Sequence, residues 1–172
     1  QLVPRVEQAE LLAAEYDAVV ANPPYMGSKY MTGDVKKFAK NYFPNSKADL
    51  FAIATERFLK FAAPSGFAGL MTPFTWMFLS SYEVFRELVL EDNTLHSLIQ
   101  PEYHAFFDSA YVPVCTFVVQ KSHTNDFAGS FINLSDFYGV EVQPVKTLEA
   151  INNPDCAWMY KARPDDFKKI PG

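Results

Sequence analysis

The sequence has little of what marks several large classes of protein. Its 172 residues include only two cysteines, Cys115 and Cys156, too few for a disulfide scaffold, and neither lies in a Cys/His cluster suited to zinc. It has no run of about 18 apolar residues and no basic start followed by an apolar segment. We therefore expect a cytoplasmic protein without a metal site, a membrane span or a signal peptide.

Charge is also scarce, and it is unevenly distributed. Charged residues make up 20% of the chain and the formal net charge is -5, which argues against a surface that binds nucleic acid everywhere. Residues 28–60 nevertheless carry seven cationic and three acidic side chains, a local net charge of +4. The lysines between residues 29 and 47, Lys29 among them, are candidates for contact with DNA phosphates, although a solvated helix face explains them equally well.

Apolar residues are abundant, and their spacing predicts an α/β fold. They make up 49% of the chain, with 16% aromatic residues, enough for a globular core. Helical and strand-like segments alternate along residues 5–128, which is typical of a sheet flanked by helices. We predict helices over 5–15, over 32–43, from the Ser46/Asp49 capping pair to Pro64, and from the Ser80/Glu83 capping pair onward, and strands over 16–21, 67–71, 95–99 and 112–119. Beyond residue 128 the runs are shorter, with a strand candidate over 131–134 and a helix candidate near 147–151.

The strongest local motif is Asn22-Pro23-Pro24-Tyr25, directly after a predicted buried strand. Ligands bind at the carboxyl ends of parallel strands, and consecutive prolines remove backbone donors while their carbonyls remain as acceptors. The Asn22 side-chain oxygen and the Pro23 carbonyl could accept both protons of an exocyclic amino group, which would draw its nitrogen toward tetrahedral geometry. The Tyr25 ring could stack on a base rotated out of its duplex. In isolation, the same tetrapeptide is also typical of a strand-ending turn.

Further segments follow this motif in a recognisable order, namely DLF (49–51), GFAGLMTPFTW (66–76), FFDSAYVPVCTFVVQK (106–121) and GSFINLSDF (129–137). With these segments, the sequence resembles the amino-group DNA adenine methyltransferases, most closely the PglX methyltransferases of BREX phage-defence systems. The resemblance implies methyl transfer from S-adenosylmethionine to the N6 amino group of an adenine in double-stranded DNA. It also implies a role in restriction-modification or phage defence, with other defence-system proteins as possible partners.

The same resemblance assigns roles to individual residues. It implies that Asn22 to Tyr25 hold the target adenine and that Phe107, or its neighbour Phe106, helps to hold the extruded base, with ordinary core packing as the alternative. Asp49 is either a helix-capping carboxylate or a cofactor contact. Thr72 and Pro73 could line the same pocket, but a plain transition from strand to loop explains them equally.

Two cofactor-binding features of such enzymes are missing from the sequence. We find neither a glycine-rich turn after a first strand nor an acidic residue after a second, and no GxG occurs. We therefore expect residues 1–128 to be the C-terminal half of a Rossmann-like methyltransferase sheet, starting near its fourth strand. Residues 129–172 would be a mixed extension leading toward a target-recognition region that is not present. This expected fragment would be inactive by itself and would bind little S-adenosylmethionine.

Two kinds of alternative remain open at this point. The same tetrapeptide could hold an adenine of RNA or a glutamine amide of a protein, which keeps the chemistry and changes the substrate. The chain could also be a non-catalytic module with a methyltransferase-like fold that binds nucleic acid or a defence-complex partner.

Overall fold

The computed structural model describes residues 3–105 and 112–167, which form helices around one mixed β-sheet. The helices are α1 (Val3–Ala13), α2 (Gly33–Tyr42), α3 (Leu50–Phe61), α4 (Glu83–Leu90), α5 (Val142–Asn152) and α6 (Pro164–Phe167). The strands are β1 (Tyr16–Ala21), β2 (Ala62–Pro73), β3 (Thr94–Gln100), β4 (Val114–Gln120), β5 (Gly129–Asn133) and β6 (Met159–Ala162). Short 3-10 turns cover Ser28–Tyr30, Phe74–Met77 and Ser80–Tyr82.

The strand order in the sheet is β1-β2-β4-β3-β5-β6. Strand β1 pairs in parallel with β2, and β3 pairs in parallel with β5, whereas β4 lies antiparallel between β2 and β3. Strand β6 pairs antiparallel with β5. The carboxyl ends of β1 and β2 therefore meet at one edge of the sheet, which is where Asn22 and Pro73 are located.

One face of the sheet carries the main core, because side chains alternate between the two faces of a strand. On β2, Ala68, Leu70 and Thr72 are buried, whereas Gly69 and Met71 between them are only partly covered. Strand β4 shows the same alternation. The buried face packs against large side chains of α3, α4 and the turn before α4, including Phe51, Trp76 and Phe85.

The expectation that β1 is buried is wrong. Its residues are mostly exposed, and Val20 retains 85% of its accessible surface. Within the described residues β1 pairs only with β2, so one edge of the strand is unpaired. Although the strand is rich in apolar residues, neither of its faces is fully covered by these residues. A short apolar run is consistent with a buried strand, but whether the strand is buried depends on other segments that pack against it.

Two predicted helix starts also need correction. Helix α3 begins at Leu50 with Asp49 as its N-cap, and Ser46 instead donates a 2.7 Å hydrogen bond to Glu56. Ser80 opens a 3-10 turn, and α4 begins only at Glu83, without a side-chain cap. Helix α3 also ends before the predicted stop, at Phe61, because β2 already begins at Ala62. Polar residues at capping spacing mark the region of a helix start but not its first residue.

Residues beyond 128 extend the same sheet and add a small core of their own. Strand β5 pairs with β3, and Ile132, Leu134 and Ala150 form a separate buried cluster beneath α5. Strand β6 and helix α6 were not predicted from the sequence. The division into two regions at residue 128 stays a prediction.

Candidate active site

The Tyr25 hydroxyl connects the two ends of the Asn-Pro-Pro-Tyr corner with each other and with strand β2. The Tyr25 hydroxyl lies 2.9 Å from Asn22 Oδ1 and 3.2 Å from the carbonyl oxygen of Met71 on β2, both within donating distance. Pro23 is buried, whereas Asn22 is exposed. Because a carbonyl oxygen has two lone pairs, Asn22 Oδ1 can accept a second hydrogen bond while Tyr25 orients it.

The Tyr25 ring is half-buried and packs against the main core. It makes a T-shaped contact with Phe51, with ring centroids 6.4 Å apart. Burial raises the pKa of Tyr25 to about 12, with a smaller contribution from the charge of Cys115. The hydroxyl is therefore protonated, and able to donate, throughout the physiological pH range.

Asp49 ties the loop that follows Tyr25 to the start of α3. Its Oδ1 accepts hydrogen bonds from the backbone N–H of Met26 at 2.8 Å and of Phe51 at 3.2 Å. Two backbone bonds run beside it, from Leu50 to the Met26 carbonyl and from Ser28 to the Ala48 carbonyl. Burial raises the pKa of Asp49, and the backbone N–H groups that point at it act in the opposite direction. Asp49 is thus the N-cap of α3 itself and not the fourth residue of a capping box that starts at Ser46, while its role as a cofactor contact stays a prediction.

Two cavities adjoin this corner, and the motif contributes to both. The sheet-face cavity, of about 470 Å³, lies on the less covered face of the sheet and is lined by Asn22 together with Val20 and Met71. The strand-end cavity, of about 490 Å³, is lined by Tyr25, Asp49 and residues 26–27, 30, 73, 75 and 112–113. Both volumes fall in the range of small-molecule sites, about 300–1,000 Å³. Asn22 is thus exposed and borders the sheet-face cavity, whereas Tyr25 borders the strand-end cavity.

The remaining predicted site residues are not all brought together. Pro73 is buried yet lines the strand-end cavity beside Tyr25. Thr72 is fully buried, and its hydroxyl is engaged inside the core, 3.4 Å from the Pro73 carbonyl and 3.7 Å from Cys115 Sγ. Lys29 is exposed, with its Nζ 4.7 Å from the centroid of the Tyr30 ring. Phe106 and Phe107 lie outside the described residues.

Sequence reasoning missed two groups at this site. The Met71 carbonyl anchors the Tyr25 hydroxyl, but it is a backbone atom that no residue type announces. Burial raises the pKa of Tyr82 to about 12, and the nearby negative charge of Asp49 makes a smaller contribution in the same direction. Both contacts join residues far apart in the chain, so no local pattern could have found them.

The described residues offer no metal centre and no membrane anchor of helical type. Residues 3–105 and 112–167 contain no group of three or more His, Cys, Asp or Glu side chains that could hold a metal ion. Within the same ranges, no helix combines the length and apolar character needed to cross a membrane.

The fold and the site together define a class of protein. In the sheet, strand β4 lies antiparallel between β2 and β3, and the Asn-Pro-Pro-Tyr corner lies at the strand ends. The fold is similar to that of solved methyltransferases, so the Rossmann-like fold class expected from the sequence is confirmed. Among solved structures, the chain is similar to the methyltransferase subunit of a type I restriction-modification system from Streptococcus thermophilus, with a TM-score of 0.70 and 16% identity. That similarity covers 91% of this chain and 36% of the other.

The sequence comparison then gives the family. The family of Eco57I restriction-modification methylases matches residues 4–107, and the chain belongs to it. It is 37% identical over its whole length to the adenine-specific methyltransferase BrxX of Escherichia coli O9:H4 (strain HS). It is 33% identical over 97% of its length to the adenine-specific methyltransferase PglX of Lacticaseibacillus casei (strain Zhang). The chain spans about 14% of the length of each of these two relatives. The resemblance to BREX-type adenine methyltransferases is confirmed.

Proposed function

We propose that the chain is the base-handling part of a longer DNA adenine N6-methyltransferase, acting in the cytoplasm in restriction-modification or phage defence. The observation that carries the proposal is that Asn22 borders a cavity while its side-chain oxygen accepts a hydrogen bond from the Tyr25 hydroxyl. The names of the relatives, both adenine-specific methyltransferases, support the choice of substrate. Double-stranded DNA is then the partner, and other defence-system proteins are further candidates.

In this proposal, Asn22 and Pro23 act on the amino group of an extruded adenine. The lone pair of that nitrogen is delocalised into the ring, so it is a poor nucleophile. Accepting its protons on Asn22 Oδ1 and the Pro23 carbonyl localises the lone pair on nitrogen. Pro24 keeps the corner rigid, because its ring fixes φ and removes a backbone donor. The exposed part of the Tyr25 ring stacks on the base, which contributes about 1–3 kcal/mol in comparable sites.

The cofactor assignment concerns S-adenosylmethionine. When bound, it would supply a methyl group activated by a sulfonium sulfur; the amino nitrogen would gain this methyl group and lose one proton to water, and the sulfur would keep the bonding electron pair. Asp49 and Pro73 border the strand-end cavity and would lie beside it, whereas Thr72 is engaged in the core and would support the wall from behind. We propose that the main cofactor contacts come from another part of the longer protein.

Substitution of Asn22 tests the proposal in that longer protein. Because a transition-state hydrogen bond of this kind contributes about 100-fold or more in rate, Asn22→Ala should remove nearly all adenine methylation. Asn22→Ala also removes the acceptor of the Tyr25 hydroxyl, so the variant should be less stable by about 1 kcal/mol at most and should remain folded. Undiminished N6-methyladenine in DNA treated with the variant would refute the proposed role.

Mass analysis of the products separates the alternatives. Methylated adenine in RNA or methylated glutamine in protein, without methylated DNA, would change the substrate and keep the chemistry. DNA binding by a longer protein that transfers no methyl group to any of the three would favour a non-catalytic module.

A further inference from the structure

A third cavity lies next to the proposed base-handling site and carries an excess of positive charge. This lysine cleft, of about 620 Å³, lies between α2, the loop before α3 and the start of α4. Three exposed lysines line it, Lys36 and Lys40 from α2 and Lys47 from the loop. The hydroxyl-bearing residues Ser80 and Ser81 line it from the side of α4.

Among the described residues, the lysines of the cleft form no ion pair with a carboxylate. The ion pairs found among these residues use Lys60, Lys121 and Lys146. Lys36 and Lys40 are four residues apart on one helix face, an arrangement of like charges that costs a few tenths of a kcal/mol in an isolated helix. The cleft therefore presents a concentrated positive charge that an anion would stabilise.

One acidic side chain, Glu83, also lines the cleft. It lies in the first turn of α4, where the N-terminal end of the helix dipole favours a carboxylate. Part of its charge is thus balanced by its own helix, and the three lysines still outnumber it.

The position of the cleft points to a particular anion. Ser28 lines the cleft, and residues 25–27, just before it, line the strand-end cavity. The same short loop therefore separates the two cavities, and it is held in place by the bond from Ser28 N to the Ala48 carbonyl at 2.8 Å. A nucleotide whose base reaches Tyr25 would carry its neighbouring phosphates past this loop.

We propose that the lysine cleft binds the sugar-phosphate backbone of the DNA strand that carries the target adenine. This inference rests on the proposed function and adds the path of the substrate strand. Hydroxyl and ammonium groups are the usual protein donors to phosphate oxygens, and such contacts position the strand without reading its sequence. The cleft residues are accordingly positioning residues, and they take no part in methyl transfer.

The test uses salt-dependent DNA binding by the longer protein, with the substitutions Lys36→Gln, Lys40→Gln and Lys47→Gln combined. Each lost phosphate contact lowers the slope of log affinity against log salt concentration by about 0.9 in duplex DNA, so the triple variant should lose about 2 to 3 in slope. Its affinity for a duplex at about 0.1 M salt should fall roughly tenfold or more. At saturating DNA its kcat should be close to that of the parent, because Asn22 and Tyr25 are untouched, while KM for DNA rises.

Lys37→Gln is the matched control. Lys37 is on the same helix and is also exposed, but it does not line the cleft. Compared singly, Lys36→Gln should reduce the slope by clearly more than Lys37→Gln, although both remove one charge. Equal effects of the two, or a triple variant with the parental slope, would overturn the inference.

The outcomes also separate this inference from the proposed function. A triple variant that keeps the parental salt slope, in an enzyme that Asn22→Ala inactivates, defeats the lysine cleft alone. A triple variant that binds DNA normally but loses an acidic protein partner would assign the cleft to that partner and likewise overturn the inference. Undiminished methylation by Asn22→Ala would instead defeat the proposed function.

Discussion

Replacing Tyr25 with phenylalanine separates the two roles that the structure combines in one side chain. The ring and its contact with Phe51 are kept, whereas the one hydroxyl proton, which Asn22 Oδ1 and the more distant Met71 carbonyl share as acceptors, is lost. A hydrogen bond of this kind contributes about 0.5–1.5 kcal/mol net. Since water reaches the exposed Asn22, we expect a loss of stability of about 1 kcal/mol, measured by urea unfolding.

The effect on catalysis follows from the orientation of the Asn22 amide. Without the hydroxyl, the amide is free to rotate away from the amino group of the base. If the loss of about 1 kcal/mol or slightly more is felt in the transition state, kcat falls about fivefold to tenfold, since 1.36 kcal/mol corresponds to a factor of ten. KM for DNA should change little, because the ring face remains. Tyr25→Ala, which removes both roles, should be more damaging in kcat and in KM.

The pH profile gives a second readout of the same prediction. The folded-state pKa of Tyr25 is raised to about 12, so the neutral hydroxyl is present below pH 10 in both folded and unfolded protein. The contribution of this hydroxyl to stability is lost only as the pH rises from about 10 to about 12. In that range the tyrosine of the unfolded protein ionises before that of the folded protein. The ratio of parent to Tyr25→Phe activity should therefore be constant from about pH 6 to pH 9. A phenylalanine variant with parental kcat would refute the orienting role, and a ratio that changes across this range would show that Tyr25 titrates in the reaction.

Two further predictions concern the N-cap of α3 and the packing of two glycines. Asp49→Ala removes the N-cap of α3 and the acceptor of the Met26 N–H, so it should lower the free energy of unfolding by about 1–2 kcal/mol and also reduce kcat. Asp49→Asn keeps one side-chain oxygen and should recover most of the stability and of kcat. Equal losses in the two variants would contradict this prediction. Gly129→Ala would bring a Cβ to 2.6 Å from the Leu95 carbonyl and should destabilise the sheet by about 1–3 kcal/mol, whereas Gly33→Ala, with no atom within 4 Å of its new Cβ, should be neutral or slightly stabilising in thermal unfolding. Similar melting temperatures for the two glycine variants would show that the close approach at Gly129 is relieved at no cost.

Several features of the fold could be predicted because they depend on short stretches of chain. The bounds of β1 agree with the predicted strand, since Asn22-Pro23-Pro24 ends any extended run. The amphipathic spacing of α2 and the apolar face of α3 also predicted these helices to within a few residues. The helix starts at Ser46 and Ser80 were wrong, because Asp49 caps α3 in place of Ser46, and because Ser80 opens a 3-10 turn before α4, which has no side-chain cap.

The candidate site divides in the same way. By itself, the sequence determined which residues form the corner and why their acceptors suit an exocyclic amino group. The three-dimensional arrangement was needed to show that β1 pairs only with β2 within the described residues, that the Tyr25 hydroxyl lies near the Met71 carbonyl, 46 positions further along the chain, and that Lys36 lines a cleft while its neighbour Lys37 does not. The physical reason is that a motif is a property of adjacent residues, whereas burial, hydrogen-bond partners and charge clusters depend on which distant segments the sheet brings together.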